Sequence, residues 1–469
     1  VDHELVMRLR ELLGTYKVLR DTGASGAQQR GRQFNVLLAD LLKAWGIPAE
    51  HSIRGLDGRD EIDVAFSIAD VNYILEAKWE AKAVSSDPTT KLERRLSNRP
   101  PGTRGILVSM SGYTKHALND AKSHTNVLLL DRAHVEAMLC GLVGPHDLLR
   151  QLYARTAAIG GSYATLANTL FHKEPPPGSW GAATPGDPWT VVKLTTSGTA
   201  ATLLRTGRWP TTHYPQAAAW SPPDDLLVTT RSGVVRVRLP DGTTHWELAL
   251  HDCEGEAILH DDETLLVLCR GTAVRWNRKS KTLDLLGGAL GLGTLMTGAD
   301  GEVWVFGYSG GLHDGSVTLT KLGDRPGDEE RHEIPAPAGI ETAIWLDGQR
   351  FFLSGNGHSA MLDLADEPAT IDALDQIPSP LPNPRTATKL TPHSVLIASN
   401  KDGLDAFVCR LDLDTGKSTD LVDLTVNRVL GMTQTYDDAG SARFLLLVDV
   451  AGNDPETRPL ILEVRTSNS

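Results

Sequence analysis

Asp63, Glu76 and Lys78 are the residues of this chain whose types and spacing could do chemistry. The stretch "YILEAKWEAK", residues 73–82, closes an apolar β-run with Glu76 and Lys78 separated by one alanine. Residues two apart in a strand project from the same face, so carboxylate and ammonium leave the strand together. Charges among apolar neighbours are costly unless a partner waits there. Asp63, in "DEIDVAF", lies thirteen positions before Glu76, the right distance for neighbouring antiparallel strands to bring both carboxylates to one end of a sheet. Two such carboxylates repel each other, and a hard divalent cation such as Mg²⁺ or Mn²⁺ relieves the repulsion through oxygen-only coordination. The backbone carbonyl of Ala77 is a candidate third ligand, and Glu61, two residues before Asp63, a candidate accessory one. A metal that polarises a phosphoryl oxygen, beside an ammonium that orients the nucleophile or offsets growing charge, suits phosphodiester hydrolysis. The competing reading is a Glu76–Lys78 ion pair on an exposed strand, which is worth little.

The elements that must hold these residues are readable in the first third of the chain. Residues 3–20 have a helical pattern. "GRQFNVLLADLLKAWG", 31–46, spaces its apolar residues at helical intervals and ends on Gly46, a stop signal. Strands follow at "IPAEHSI", "EIDVAFSI" and "VNYILEAK", with Ala69-Asp70 as the turn of a hairpin between the last two. A polar helix near 88–97, a strand "RGILVSM", a helix over 113–123, a strand "TNVLLLD" and a helix "RAHVEAML" complete an α/β sandwich around a mixed sheet. Residues 145–171 read as helical and as packing on that domain or leading into a linker. Trp79 faces away from Lys78 and is expected to pack in a core or between domains. Lys82, Lys91, Arg94, Arg95, Arg99 and Arg104 follow the site closely and are candidates for nucleic-acid phosphates, the alternative being a solvated helix face.

Past "KEPPPGSWGAATPGDPW", 173–189, a Pro/Gly-rich linker, the texture changes to short β-runs with Gly, Asp and Asn turns. Approximate copies begin at residues 217, 256, 292, 341, 387 and 429. A period near forty residues with several strands per unit matches one four-stranded blade, so residues 190–469 read as a β-propeller. Six blades is the expectation and seven the alternative, with a pair of β-sandwiches as the rival architecture. "WTVVKLTTSGTAATLLRTG", 189–207, could supply strands that close the ring onto the last copy. The domain plan is therefore 1–172, a linker over 173–189, and 190–469.

The net charge of −13 is unevenly spread. Residues 1–155 carry 21 Lys and Arg against 19 Asp and Glu, so the acidity belongs to the remainder. The near-neutral first part can bind phosphate if its basic groups line one groove, whereas the acidic remainder is a poor place for DNA to lie. The sequence holds no run of about eighteen apolar residues and opens without a secretory core, so the expectation is a cytoplasmic protein with no membrane partner. The four cysteines are far apart in sequence, without CxxC, and read as buried thiols in a reducing compartment.

The helix "QRGRQFNVLLADLL", followed by Asp63 and by Glu76-x-Lys78 on a hairpin, resembles the PD-(D/E)xK nuclease superfamily, in particular Mrr-like restriction endonuclease domains, over roughly residues 25–142. The resemblance implies a metal-dependent nuclease core with Asp63 and Glu76 as metal ligands and Lys78 as the catalytic lysine. Many relatives carry a glutamate directly after the helix aromatic, where this chain has Asn35. That departure implies one tightly held metal and slower turnover, with Gln33 and Asn35 supporting the site from behind the ligands.

The function expected on these grounds is a Mg²⁺-dependent DNA endonuclease whose propeller recognises an unidentified protein, peptide or ligand, or controls the nuclease. Restriction or antiviral defence in a prokaryote would suit it, as a homodimer or within a multi-protein complex. The alternative is a binding scaffold whose nuclease fold has lost activity and whose propeller is the working part. Cleavage of RNA, or processing of branched or broken DNA, is a third reading.

Overall fold

The computed structural model describes residues 3–22, 26–54, 61–171, 194–195 and, with internal gaps, 201–466. The linker expected over 173–189 lies outside the described residues.

Two amphipathic helices open the chain. In α1 (His3–Asp21), Val6, Leu9, Leu12, Leu13, Tyr16 and Leu19 recur at helical spacing and are buried. In α2 (Ala27–Ala44), Phe34, Leu37, Leu38, Leu41 and Leu42 form the inward stripe. Gly46 ends α2 at φ +76°, its N–H donating to the Lys43 carbonyl while that of Ile47 donates to Leu42. This is a Schellman closure, which needs a residue tolerant of left-handed backbone.

Five strands follow: β1 (Ala49–Arg54), β2 (Glu61–Ile68), β3 (Val71–Lys78), β4 (Arg104–Ser109) and β5 (Val127–Asp131). They form one mixed sheet in sequence order, antiparallel through β1–β2–β3 and parallel through β3–β4–β5. The β2–β3 hairpin turns on Ala69 and Asp70, both at positive φ (45° and 66°), as a two-residue turn that follows strand twist requires. Helix α3 (Asp87–Leu96), starting with Pro88 in its first turn, links β3 to β4, and α4 (Lys115–Asp120) links β4 to β5. Helices α5 (Arg132–Cys140), α6 (Pro145–Ile159) and α7 (Leu166–Leu170) complete the domain.

The sheet is covered on both faces. Val64, Leu75, Ile106, Val108, Leu128 and Leu130 pack toward α1, α2 and α5. Ile74, Leu107 and Leu129 pack with Leu92 and Leu96 of α3 on the other side. Alternation along β3 therefore sends Glu76 and Lys78, two and four residues after Ile74, to the α3 face.

From residue 194 onward the described strands fall into antiparallel sheets of four, one of which gains a fifth strand. Six such sheets are present, and their first strands (Pro215–Ser221, Cys253–Leu259, Gly293–Thr297, Thr342–Asp347, Pro384–Thr391 and Arg428–Tyr436) neighbour one another in that order. The last returns to the first, so the ring closes as a propeller. Ala201–Arg208 pairs with Leu460–Thr466, completing the last sheet, and Leu194–Thr195 pairs with Ser418–Leu424. The stretch expected to close the ring thus contributes to two sheets through residues 194–195 and 201–207, the rest of it lying outside the described residues.

The two parts share a seam. Arg20 of α1 donates to the carboxylate of Asp328 and, at 2.9 Å, to the carbonyl of Pro326, while Lys17 lies 3.6 Å from Asp328. Thr272 Oγ1 donates to the Cys140 carbonyl at the end of α5 (2.9 Å), and Phe171 meets Trp276 edge-on with centroids 4.9 Å apart. One buried cluster joins Leu139, Cys140 and Leu142 to Leu250, Trp276 and Leu285 across that seam. At Gly288 an added Cβ would stand 2.3 Å from the Cα of Cys140, so only glycine fits.

Candidate active site

The hairpin and α2 assemble the site. The β2–β3 register runs out at Val64 opposite Leu75, one step before Asp63 and Glu76 would face each other. There the Asp63 side chain replaces the backbone partner, accepting from the Ala77 N–H through Oδ2 at 2.8 Å. Its other oxygen accepts from Asn35 Nδ2 at 2.9 Å. Asn35 is a buried polar residue on an apolar helix stripe, and this bond satisfies its amide.

Glu76 is held from two sides. Lys78 Nζ donates to Oε1 at 2.8 Å, and Arg95 of α3 donates to Oε2. Its side chain retains 18% exposure, against 28% for both cations, so the cluster opens to solvent while resting on the sheet. Burial pushes the Asp63 carboxyl above the ordinary range; the Ala77 N–H pulls it back, and the negative charge of Glu76 pushes it up again. The two carboxylates are therefore close enough to feel each other, with Lys78 acting on Asp63 in the opposite sense. Oxygen-only donors under mutual repulsion are what a hard divalent ion relieves, so Asp63 and Glu76 fit such a metal. Among the described residues no group of three or more His, Cys, Asp or Glu gathers at one point, so any metal here would rely on this pair, backbone oxygen and water.

Asp63, Glu76, Ala77, Lys78 and Asn35 are brought together. Other candidates are placed differently. Gln33 is exposed, about 200° around the helix from Asn35, because two residues on an α-helix face apart. Glu61 is exposed opposite Arg54 at the start of β2. Lys91 and Arg94 are exposed on α3, and Lys82 lies on the turn after β3, its carbonyl accepting from Ser111 Oγ. Arg94 and Arg99 line an open cleft with Pro100 and Asn126. Arg95, a phosphate candidate from sequence, donates to Glu76 across from α3 to β3. Arg104 is taken up by Asn126 and the Tyr153 ring, 4.5 Å from its centroid.

Trp79 packs as expected. Its ring meets Phe34 edge-on at 4.8 Å and Tyr16 of α1 at 5.8 Å, and Arg30 lies over it at 5.4 Å while donating to its carbonyl. Arg30 was not singled out in the sequence. Its one signal was its place a turn before Phe34 on the same helix.

Residues 27–139 match the Mrr_cat family model, described as restriction endonuclease, and that span contains α2, the whole sheet and every residue of the cluster. No curated protein sequence matches the chain. Among solved structures, the chain is similar to a gluconolactonase of Xanthomonas campestris (16% identity, 63% of this chain and 98% of that one, TM-score 0.43). It is also similar to a calcium-binding regucalcin of Agrobacterium tumefaciens (11% identity, 55% and 92%, TM-score 0.39) and to an aldose sugar dehydrogenase of Streptomyces coelicolor (17% identity, 58% and 100%, TM-score 0.40). Likeness at this level says nothing of what this propeller binds. The N-terminal domain has a restriction-endonuclease-like nuclease fold, and it is joined to a β-propeller.

Proposed function

We propose that the N-terminal domain is a divalent-metal-dependent DNA endonuclease, Mg²⁺ or Mn²⁺ being held by Asp63 and Glu76, with the Ala77 carbonyl as a further ligand and Lys78 as the catalytic lysine. The observation that carries this reading is the convergence of Asp63, Glu76 and Lys78 within the segment that matches the restriction endonuclease family. Bound there, the metal would polarise a phosphoryl oxygen and acidify a water.

The chain's own residues do the rest. Asn35 and the Ala77 N–H fix Asp63 in one orientation, so no rotamer search is needed when a ligand arrives. Lys78 keeps a positive charge beside the place where negative charge grows on the phosphate. Arg95 neutralises Glu76 and has to release one carboxylate oxygen before that oxygen can serve a cation. Lys91 and Arg94, exposed on the helix that carries Arg95, and Lys82 would meet backbone phosphates. The propeller, acidic and packed on α1, α5 and α7, then serves as the recognition or control part, in restriction or antiviral defence. The full occupation of both carboxylates by protein donors favours a second reading, a nuclease fold kept as a scaffold for the propeller.

The two readings part on purified protein with supercoiled plasmid and single-stranded RNA, with and without Mg²⁺ or Mn²⁺, beside Glu76→Gln and Lys78→Ala. Metal-dependent nicking of DNA that both variants lose by about 100-fold or more supports the endonuclease. Absence of cleavage, together with Mn²⁺ binding no weaker in Glu76→Gln than in the parent, removes it and leaves the scaffold.

A further inference from the structure

The sixteen positions between Cys253 and Cys269 disappear in the fold. The two residues are direct partners in the antiparallel pairing of Cys253–Leu259 with Thr264–Cys269, both are wholly buried, and their sulfurs stand 2.6 Å apart. Direct cross-strand partners have Cα atoms about 4.5–5.5 Å apart, within the roughly 4.4–6.8 Å a disulfide spans. No backbone movement is needed to join them. The pair also has a defined place. Cys253 follows Asp252 and Cys269 precedes Arg270, and these neighbours are tied by Arg270 Nε to Asp252 Oδ2 at 2.8 Å and by the Arg270 N–H to the Asp252 carbonyl at 3.0 Å. Two residues on, Thr272 makes the hydrogen bond to Cys140 that crosses to the nuclease domain.

We propose that Cys253 and Cys269 are a peroxide-oxidisable dithiol that closes into a cross-strand disulfide beneath the seam between propeller and nuclease domain. One thiolate attacks the O–O bond of hydrogen peroxide, becoming a sulfenic acid with release of hydroxide. The second thiolate attacks that sulfur and expels the remaining oxygen as hydroxide. The two protons lost by the thiols return both hydroxides to water, so two thiols and one peroxide yield one disulfide and two waters. The bond fixes Asp252 and Arg270 together independently of their ion pair, and with them the turn that presents Thr272. Cys140 and Cys409 are buried as well, but neither faces another cysteine across a strand pair among the described residues.

The test treats the folded full-length chain with hydrogen peroxide, then unfolds it under an alkylating agent and maps the peptides. The expected result is loss of two of the four thiols, with a reducible link between the peptides of Cys253 and Cys269. Cys140→Ser is expected to lose the same two, and Cys253→Ser to form no link. Four thiols remaining, oxidation without a link, or a link through Cys140 or Cys409 overturns the proposal. None of these outcomes depends on nuclease activity.

Discussion

At the scale of single residues, the arrangement around Glu76 makes Arg95 the group that competes with a cation. Arg95→Ala removes a partly buried ion pair worth about 0.5–1 kcal/mol, so Mn²⁺ affinity measured by calorimetry is expected to rise roughly two- to fivefold, with DNA binding no stronger. A weaker metal affinity in that variant would mean that Arg95 positions Glu76 instead of contesting it. Asn35 offers the opposite experiment. Asn35→Asp replaces the amide that donates to Asp63 with a like charge beside an already buried carboxylate, and the variant is expected to melt several degrees lower without metal. Mg²⁺ should restore much of that loss, a rescue visible by thermal denaturation that a site without metal affinity would not show. The chemistry-bearing residues were legible because a two-residue spacing in a strand leaves no choice of face. The partner of Glu76 on α3 was not, because which side of a crossover helix meets the sheet depends on packing that no local pattern encodes. Asn35 was legible only as a departure from the pattern of the family that the chain resembles, and its bond to Asp63 needed coordinates.

At the scale of elements, the β2–β3 hairpin followed from alternation plus a two-residue turn, and the end of α2 from one glycine. The start of α5 was less evident in sequence. Asp131 caps it, accepting from the His134 N–H and facing His134 Nδ1 at 2.7 Å, while Tyr163 donates to its other oxygen at 2.6 Å. Burial pushes the Asp131 carboxyl up, but the His134 and Tyr163 bonds outweigh it and hold the group below its ordinary value. A carboxyl depressed in the folded state contributes stability above its unfolded value of 3.8 and loses it as pH falls through the lower, folded value. Asp131→Asn, which caps as well but loses the charge that the His134 and Tyr163 bonds favour, is therefore expected to cost about 1 kcal/mol near neutrality and to flatten the acid limb of stability against pH, as read by urea unfolding. An unchanged acid limb would assign that titration to other carboxylates. The cysteine pair escaped the sequence for a related reason: each blade repeats a pattern of burial, and register across the first two strands of a blade includes an irregularity after Glu254 that sequence counting does not foresee.

For the molecule as a whole, the propeller was legible from its period, and the seam was not, since the residues that make it are ordinary apolar and charged side chains in both parts. Gly288 is its sharpest point. Gly288→Ala drives a methyl into the backbone of Cys140 and is expected to cost roughly 1–3 kcal/mol, lowering the melting temperature and exposing the seam to proteolysis near α5. If the variant melts like the parent, the two parts are not held by that contact. The ring closure has a further bearing on how the chain is made. Among the described residues Ala201–Arg208 pairs with Leu460–Thr466, so during translation, at about 5–20 residues per second, the N-terminal domain leaves the ribosome tens of seconds before the strand that locks its companion exists. For that interval a newborn molecule carries Asp63, Glu76 and Lys78 without a finished partner beside them, and any restraint the ring imposes comes only to chains translated past Leu460–Thr466.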